Sequence, residues 1–151
     1  MPVAKLKEFL DANSVKYTSI KHEKAYTAMA VAESAHVPGK DMAKTVVVRM
    51  DGRLAMAVLP ATQHLRLDRL RKATGAESVE VAVEQDFWAD FPGCELGAMP
   101  PFGNLFRMDT FVEPRLAEDV EIAFNAGSHT EVVKMTFKDY QRLVKPRLVT
   151  M

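Results

Sequence analysis

Two β-rich runs, Lys44 to Met50 and Leu54 to Leu59, flank the dipeptide Asp51-Gly52. Asp-Gly between such runs is the strongest short-range hairpin signal, because both central residues of the favoured turn need positive φ. The remaining segments are read around this hairpin. Val3, Leu6, Phe9 and Leu10 recur at helical spacing and predict an amphipathic helix over 3–12, ended by Asn13 and Ser14. Val15 to Ile20 reads as a short strand, with Tyr17 as a packing residue. Thr27 is suited to cap a second helix that presents Ala30, Val31 and Ala35 on one face and closes at Pro38-Gly39.

Beyond the hairpin, Leu65, Leu67 and Leu70 predict a helix ending at Gly75, and Glu77 to Val81 a strand. Glu84 to Phe91 reads as a helix carrying the only tryptophan, Trp88, and Phe106 to Val112 as another strand. Val120 to Asn125 and Glu131 to Met135 bracket the turn Ala126-Gly127-Ser128-His129. Thr136 caps a last helix over 137–144, and Pro146 is expected to stop the order there. Strands and helices alternate irregularly, with two hairpin-like pairs. The pattern predicts an α+β fold in one domain over residues 1–151: a mixed, largely antiparallel sheet with helices against it.

A chain of 151 residues, 48% of them hydrophobic, can bury a real core. Twenty basic and twenty acidic residues cancel, which argues against a general nucleic-acid coat but not against a protein that grips one end of a nucleic acid. The single cysteine, Cys94, allows no intrachain disulfide, so a reducing, cytoplasmic setting is the default. The first residues are too charged for a signal-peptide core, and no apolar run approaches the roughly 20 residues that span a bilayer.

Gly97-Ala98-Met99-Pro100-Pro101-Phe102-Gly103 breaks every regular pattern around it. Its glycines permit unusual backbone angles, and its prolines fix φ and remove two N–H donors. The loop is either a tight turn between strands or a rigid pocket wall whose remaining N–H groups are aimed at a ligand. Lys44 opens the apolar strand Ala43-Lys44-Thr45-Val46-Val47-Val48. It reads either as an ordinary strand-end lysine in water or as an ammonium placed to bind a carbonyl, carboxylate or phosphate oxygen. His129, in its turn, is suited to donate or accept near neutral pH, or is simply structural.

Arg66, Arg69, Arg71 and Lys72 form a basic cluster on one helix, a solvated face or a phosphate contact. Cys94 reads as a small packing residue, with use as a nucleophile the alternative. His22, His36, His64 and His129 lie too far apart for a metal motif, and no Walker loop, Gly-x-Gly-x-x-Gly or Gly-x-Ser-x-Gly is present. No metal or cofactor is expected.

Taken in order, Ala43 to Val48 with its lysine, Gly97 to Gly103, and Ala126 to His129 resemble the YbaK / prolyl-tRNA-synthetase-associated domain family over about residues 3–145. The Gly-x-x-x-Pro loop, Gly97 to Pro101, is the most specific element. The resemblance implies a mainly antiparallel mixed sheet or barrel surrounded by helices. It also implies hydrolysis of the ester that joins a wrong amino acid to the 3′ end of a tRNA, by a free-standing trans-editing deacylase. A small amino acid is expected (alanine, proline, serine or cysteine), for example on a proline tRNA.

Carried over by position, Lys44, Gly97 and His129 are the implied catalytic residues. Lys44 positions the aminoacyl or terminal-adenosine oxygens, the Gly97–Pro101 loop places backbone N–H groups near the carbonyl, and His129 helps to hold substrate or water. Thr45, Ala98, Met99, Pro100, Pro101, Phe102, Gly103, Gly127 and Ser128 are the implied substrate contacts, with Thr45 helping to sort amino acids. Pro100 and Pro101 lack N–H groups, so Ala98, Met99 and Phe102 are the nearby non-glycine donors. The implied partners are an aminoacyl-tRNA acceptor end and a synthetase, not a membrane, with Arg66 to Lys72 as the expected tRNA contact. The alternative is a non-catalytic module that binds an aminoacyl-tRNA end, a nucleotide or an amino acid, or acts as a partner of a synthetase.

Overall fold

The computed structural model describes residues 2–91, 94–95 and 97–151. Helix α1 spans Pro2–Ala12 and buries Leu6 and Leu10 completely, which is the helical spacing read from the sequence. Val3 lies outside the residues whose side chains are described. Burying each of the two leucines is worth about 1.5–3 kcal/mol. Asn13 closes the helix by donating from Nδ2 to the Phe9 carbonyl at 2.8 Å.

The hairpin forms as expected. β2 (Ala43–Met50) and β3 (Arg53–Pro60) pair antiparallel from Met50↔Arg53 to Ala43↔Pro60. Asp51 and Gly52 both take positive φ, 49° and 83°. Asp51 Oδ1 also accepts the N–H groups of Glu77 and Ser78, at 3.0 and 2.9 Å, and so ties β4 (Val79–Val81) to the turn.

β3 then pairs parallel with β5 (Asp109–Val112), and β5 parallel with β8 (Arg147–Leu148), giving the order β4-β2-β3-β5-β8. A second sheet, β1-β7-β6, joins β1 (Thr18–Lys21), β7 (Glu131–Thr136) and β6 (Glu121–Asn125) by antiparallel pairs. A parallel bridge between Met42 and Ala123 links the two sheets. The result is the α+β architecture anticipated, with sheet pairing mainly antiparallel.

Several boundaries move. The strand expected at 15–20 starts at Thr18, because Ser14 at φ 56° turns the chain and Val15 instead tucks into the core. The strand expected from Phe106 starts at Asp109. A 3-10 turn over Gly103–Leu105 and Arg107 at φ 59° precede it. The helix expected over 84–91 divides into α4 (Glu84–Phe87) and a 3-10 turn, Trp88–Asp90. Pro146 does not end the order. Lys145, at φ 52°, reverses the chain into β8, and Met151 beyond it is fully buried.

Strand alternation sorts the side chains into two layers. The inner face, with Ala43, Val47, Met56, Val58, Phe124 and Met135, closes on α1, on Phe102 and on α5 (Phe137–Val144). The outer face carries two separate clusters. Met42 and Ala123 pack with Val31 and Ala32 of α2 (Ala28–Ser34), whereas Val46, Val48 and Leu59 pack around Leu70 of α3 (Leu67–Thr74).

Candidate functional site

Lys44 sits between those outer clusters. Its neighbours on the same face are Met42, in the α2 cluster, and Val46, in the α3 cluster. The lysine therefore occupies the seam between two helical covers. Burial there lowers its pKa below the usual lysine value of 10.5. Among the described residues its ammonium meets no carboxylate and no hydrogen-bond acceptor. A half-buried, uncompensated cation is costly unless something anionic or carbonyl-like arrives.

Thr45 pairs with Val58 on the inner face, so alternation sends Thr45 and Lys44 to opposite sides of β2. Thr45, expected as a substrate contact, therefore stands on the face of β2 away from Lys44. Asn125, by contrast, leaves the Met42–Ala123 bridge on the same face as Lys44, and its buried Oδ1 has no hydrogen-bond partner among the described residues.

The Gly97–Gly103 loop is bolted to the Ala126–His129 turn. The Glu95 N–H donates to the Gly127 carbonyl and the Gly127 N–H to the Ala98 carbonyl, both at 2.9 Å. Gly97 takes φ 84°, and a Cβ there would lie 3.6 Å from His129 Cε1. The loop's other side faces the core. Ala98 and Phe102 are fully buried, Met99 nearly so, and Pro100, Pro101 and Gly103 are buried with them. These side chains support the wall from behind rather than line its front.

The expected donors also narrow. Ala98 N–H is spent on Glu95 O, Phe102 N–H on Pro100 O, and Gly103 N–H on Thr110 Oγ1. Among the described residues, the Gly97 and Met99 N–H groups carry no bond.

His129 is 6% exposed, and its ring lies 4.9 Å from that of Tyr26, which is 67% exposed. Its backbone N–H donates to Glu95 Oε2 at 3.4 Å, and its Nε2 stands 3.8 Å from the same oxygen. The His129 carbonyl accepts the Ala25 N–H at 3.3 Å, which places the turn beside the segment leading into α2. Gly127, at φ 108°, supplies the bend, and Ser128 Oγ bonds Thr130 Oγ1 rather than facing the loop. Gly97 thus faces the His129 ring across the space a side chain would fill, and the sheet face puts Lys44 on the same α2 side.

Tyr26, Glu95 and Asn125 escaped the sequence reading. An acid two residues before Gly97 is the one available signal, for Glu95. Cys94 is half-buried, and desolvation pushes its thiol up to about 11, so it is protonated at neutral pH. Nucleophilic use of Cys94 finds no support.

The basic cluster divides. Arg66 and Arg69 line a surface cleft with His64 and Arg115, whereas Arg71 and Lys72 are exposed elsewhere on α3. No helix among the described residues is long and apolar enough to cross a membrane.

Residues 22–143 match the aminoacyl-tRNA editing domain family. The chain is similar to the multifunctional Ser/Thr-tRNA deacylase ProXp-y of Escherichia coli (strain K12), 29% identical over 145 residues, covering 93% of this chain and 86% of that protein. Among solved structures it resembles one described as a candidate trans-editing enzyme for prolyl tRNA synthetase, with TM-score 0.82 and 14% identity over 99% of this chain and 95% of that one. A second, described as a hypothetical protein, gives TM-score 0.84 and 16% identity over 97% of both chains. At these identities the structures speak to the fold.

Proposed function

The chain belongs to the aminoacyl-tRNA editing domain family, and from that premise we propose that it is an aminoacyl-tRNA deacylase that removes serine or threonine from tRNA. The observation that carries this reading is that Gly97 faces His129 on the side of the sheet where Lys44, among the described residues, stands without a counter-ion. The similarity to a Ser/Thr-tRNA deacylase supports the choice of amino acid and points to no single tRNA, so the proline tRNA expected from the sequence is not carried forward. In this reading the protein acts in the cytoplasm, the compartment where aminoacyl-tRNA is used.

An aminoacyl ester is already activated, so no enzyme nucleophile is needed. In the proposed mechanism water attacks the ester carbonyl carbon and the carbonyl oxygen becomes an oxyanion. The carbon–oxygen bond to the ribose then breaks. The ribose oxygen takes the proton that the attacking water gives up, and free amino acid and tRNA leave. The Gly97 and Met99 N–H groups receive the oxyanion, and Lys44 holds the neighbouring acyl or ribose oxygen. His129, braced by Glu95, holds the water. Asn125 Oδ1 is a suitable acceptor for the substrate ammonium. Removing one well-placed donor at an oxyanion costs about 3–4 kcal/mol, or about 10²–10³ in rate.

A deacylation screen over mischarged tRNAs tests this. Seryl and threonyl esters should be hydrolysed, and Lys44→Ala should lose about 10²–10³ in rate while keeping its fold by circular dichroism. An unimpaired Lys44→Ala would refute the assigned role. A wild type that binds tRNA but hydrolyses no ester would leave a binding module instead.

A further inference from the structure

The cleft that takes Arg66 and Arg69 has a volume of about 420 Å³ and lies between the start of α3 and the corner at Glu113–Arg115. Four of its lining residues are Arg66, Arg69, Arg115 and His64. Its one side-chain carboxylate, Glu113, is committed, and the Met151 carbonyl in the same lining accepts the Arg66 N–H at 2.9 Å. Glu113 accepts from the Arg115 N–H at 2.8 Å, from Gln63 Nε2 at 3.3 Å and from the Met151 N–H at 3.5 Å. Glu113 therefore anchors the corner from which Arg115 projects. Asp68 beside the cleft pairs with Arg66 Nε at 3.5 Å, both side chains being 57% exposed, and a pair so exposed is easily exchanged for another anion. Among the described residues the guanidinium groups of Arg69 and Arg115 have no partner.

The cleft is joined to the candidate site by one short loop. Pro60 pairs with Ala43, next to Lys44. The Ala61 N–H then donates to Met42 O at 2.7 Å, and Thr62 abuts Gly39 so closely that a Cβ on Gly39 would come within 3.0 Å of Thr62 Cγ2. Gln63 reaches Glu113, and His64 and Arg66 enter the cleft. A polyanion whose last residue is held at Lys44 has its preceding phosphates to place, and this loop brings an arginine-lined surface beside that end. In a chain with zero formal net charge, binding a polyanion requires such a local patch. The planar fork of arginine suits phosphate oxygens.

We propose that this cleft docks backbone phosphates of the tRNA acceptor stem, with Arg69 and Arg115 as the contacts and Arg66 and His64 at the rim. The proposal rests on the deacylase reading of the neighbouring site.

The test uses the whole chain and uncharged tRNA, with binding measured between 50 and 200 mM salt. Arg69→Ala/Arg115→Ala should flatten the slope of log affinity against log salt by about 2, one for each lost phosphate contact. Arg69→Lys/Arg115→Lys should recover most of it. Hydrolysis of seryl-tRNA below saturation should fall further in the alanine variant than hydrolysis of a seryl ester of adenosine, which has no stem phosphates. An unchanged slope in a folded alanine variant overturns the proposal, even if the wild type hydrolyses seryl-tRNA well. A flattened slope in a protein that hydrolyses no ester upholds the cleft and refutes the deacylase reading instead.

Discussion

Gly97 is held at φ 84° with room around it, since the nearest atom to an added Cβ is His129 Cε1 at 3.6 Å. The cost of replacing it is therefore conformational rather than steric. Gly97→Ala should lose about 1–2 kcal/mol in urea unfolding, the price of left-handed backbone for a residue with a Cβ. Its deacylation rate should fall by more than that loss of stability explains, because the Gly97 N–H moves with the backbone. A variant of full activity would remove the loop from the reaction. At this scale it is the family pattern that singles out Lys44, Gly97 and His129, whereas residue type and spacing alone leave a strand-end lysine, a tight turn and a structural histidine equally open. Tyr26 and Asn125 are not legible, because an exposed tyrosine and an asparagine carry no signal until their neighbours are known, and Glu95 offers only its place just ahead of the glycine loop.

The element that positions the site is the pair made by the glycine–proline loop and the Ala126–His129 turn, and α5 braces it from within. Tyr140, fully buried, donates its hydroxyl to the Pro101 carbonyl at 2.6 Å, and burial pushes its pKa well above the ordinary 10.0. Its ring also packs edge-on against Phe102, 5.3 Å between centroids. Tyr140→Phe keeps the packing but strands a buried carbonyl. It should cost about 1–3 kcal/mol in chemical denaturation. No change in stability would show that the loop holds itself. The hairpin was readable because Asp51-Gly52 names its own turn. The starts of β1 and β5 were not, because Ser14 and Arg107 adopt positive φ with no glycine to announce it. The short β8 was hidden because Pro146 is an ordinary stop signal and only pairing with β5 overrides it.

Across the whole molecule, the two sheets meet where Met42 bridges Ala123, and Asp41 and Asp119 sit at that junction. Burial, then the charge and hydrogen bond of Asp41, push the Asp119 carboxyl up to about 6 from 3.8, with Lys40 opposing. A carboxyl raised by folding contributes stability that is fully present below its unfolded value and is lost as the pH rises through its folded one. Asp119→Asn should therefore melt above the wild type at neutral pH, with the difference shrinking as the pH falls from about 6 toward about 4. A difference independent of pH would mean that the junction does not feel this charge.

What the sequence by itself determined is local. Turn chemistry, helical and alternating apolar spacing, and caps such as Thr27 and Thr136 act over a few residues and so can be read in order. Only the tertiary structure decided which face Lys44 and Thr45 take, which N–H groups of the glycine loop remain unspent, and that Arg115 joins Arg66 and Arg69. Those outcomes depend on strand register and on a bridge between distant segments, and no short stretch of chain encodes either one.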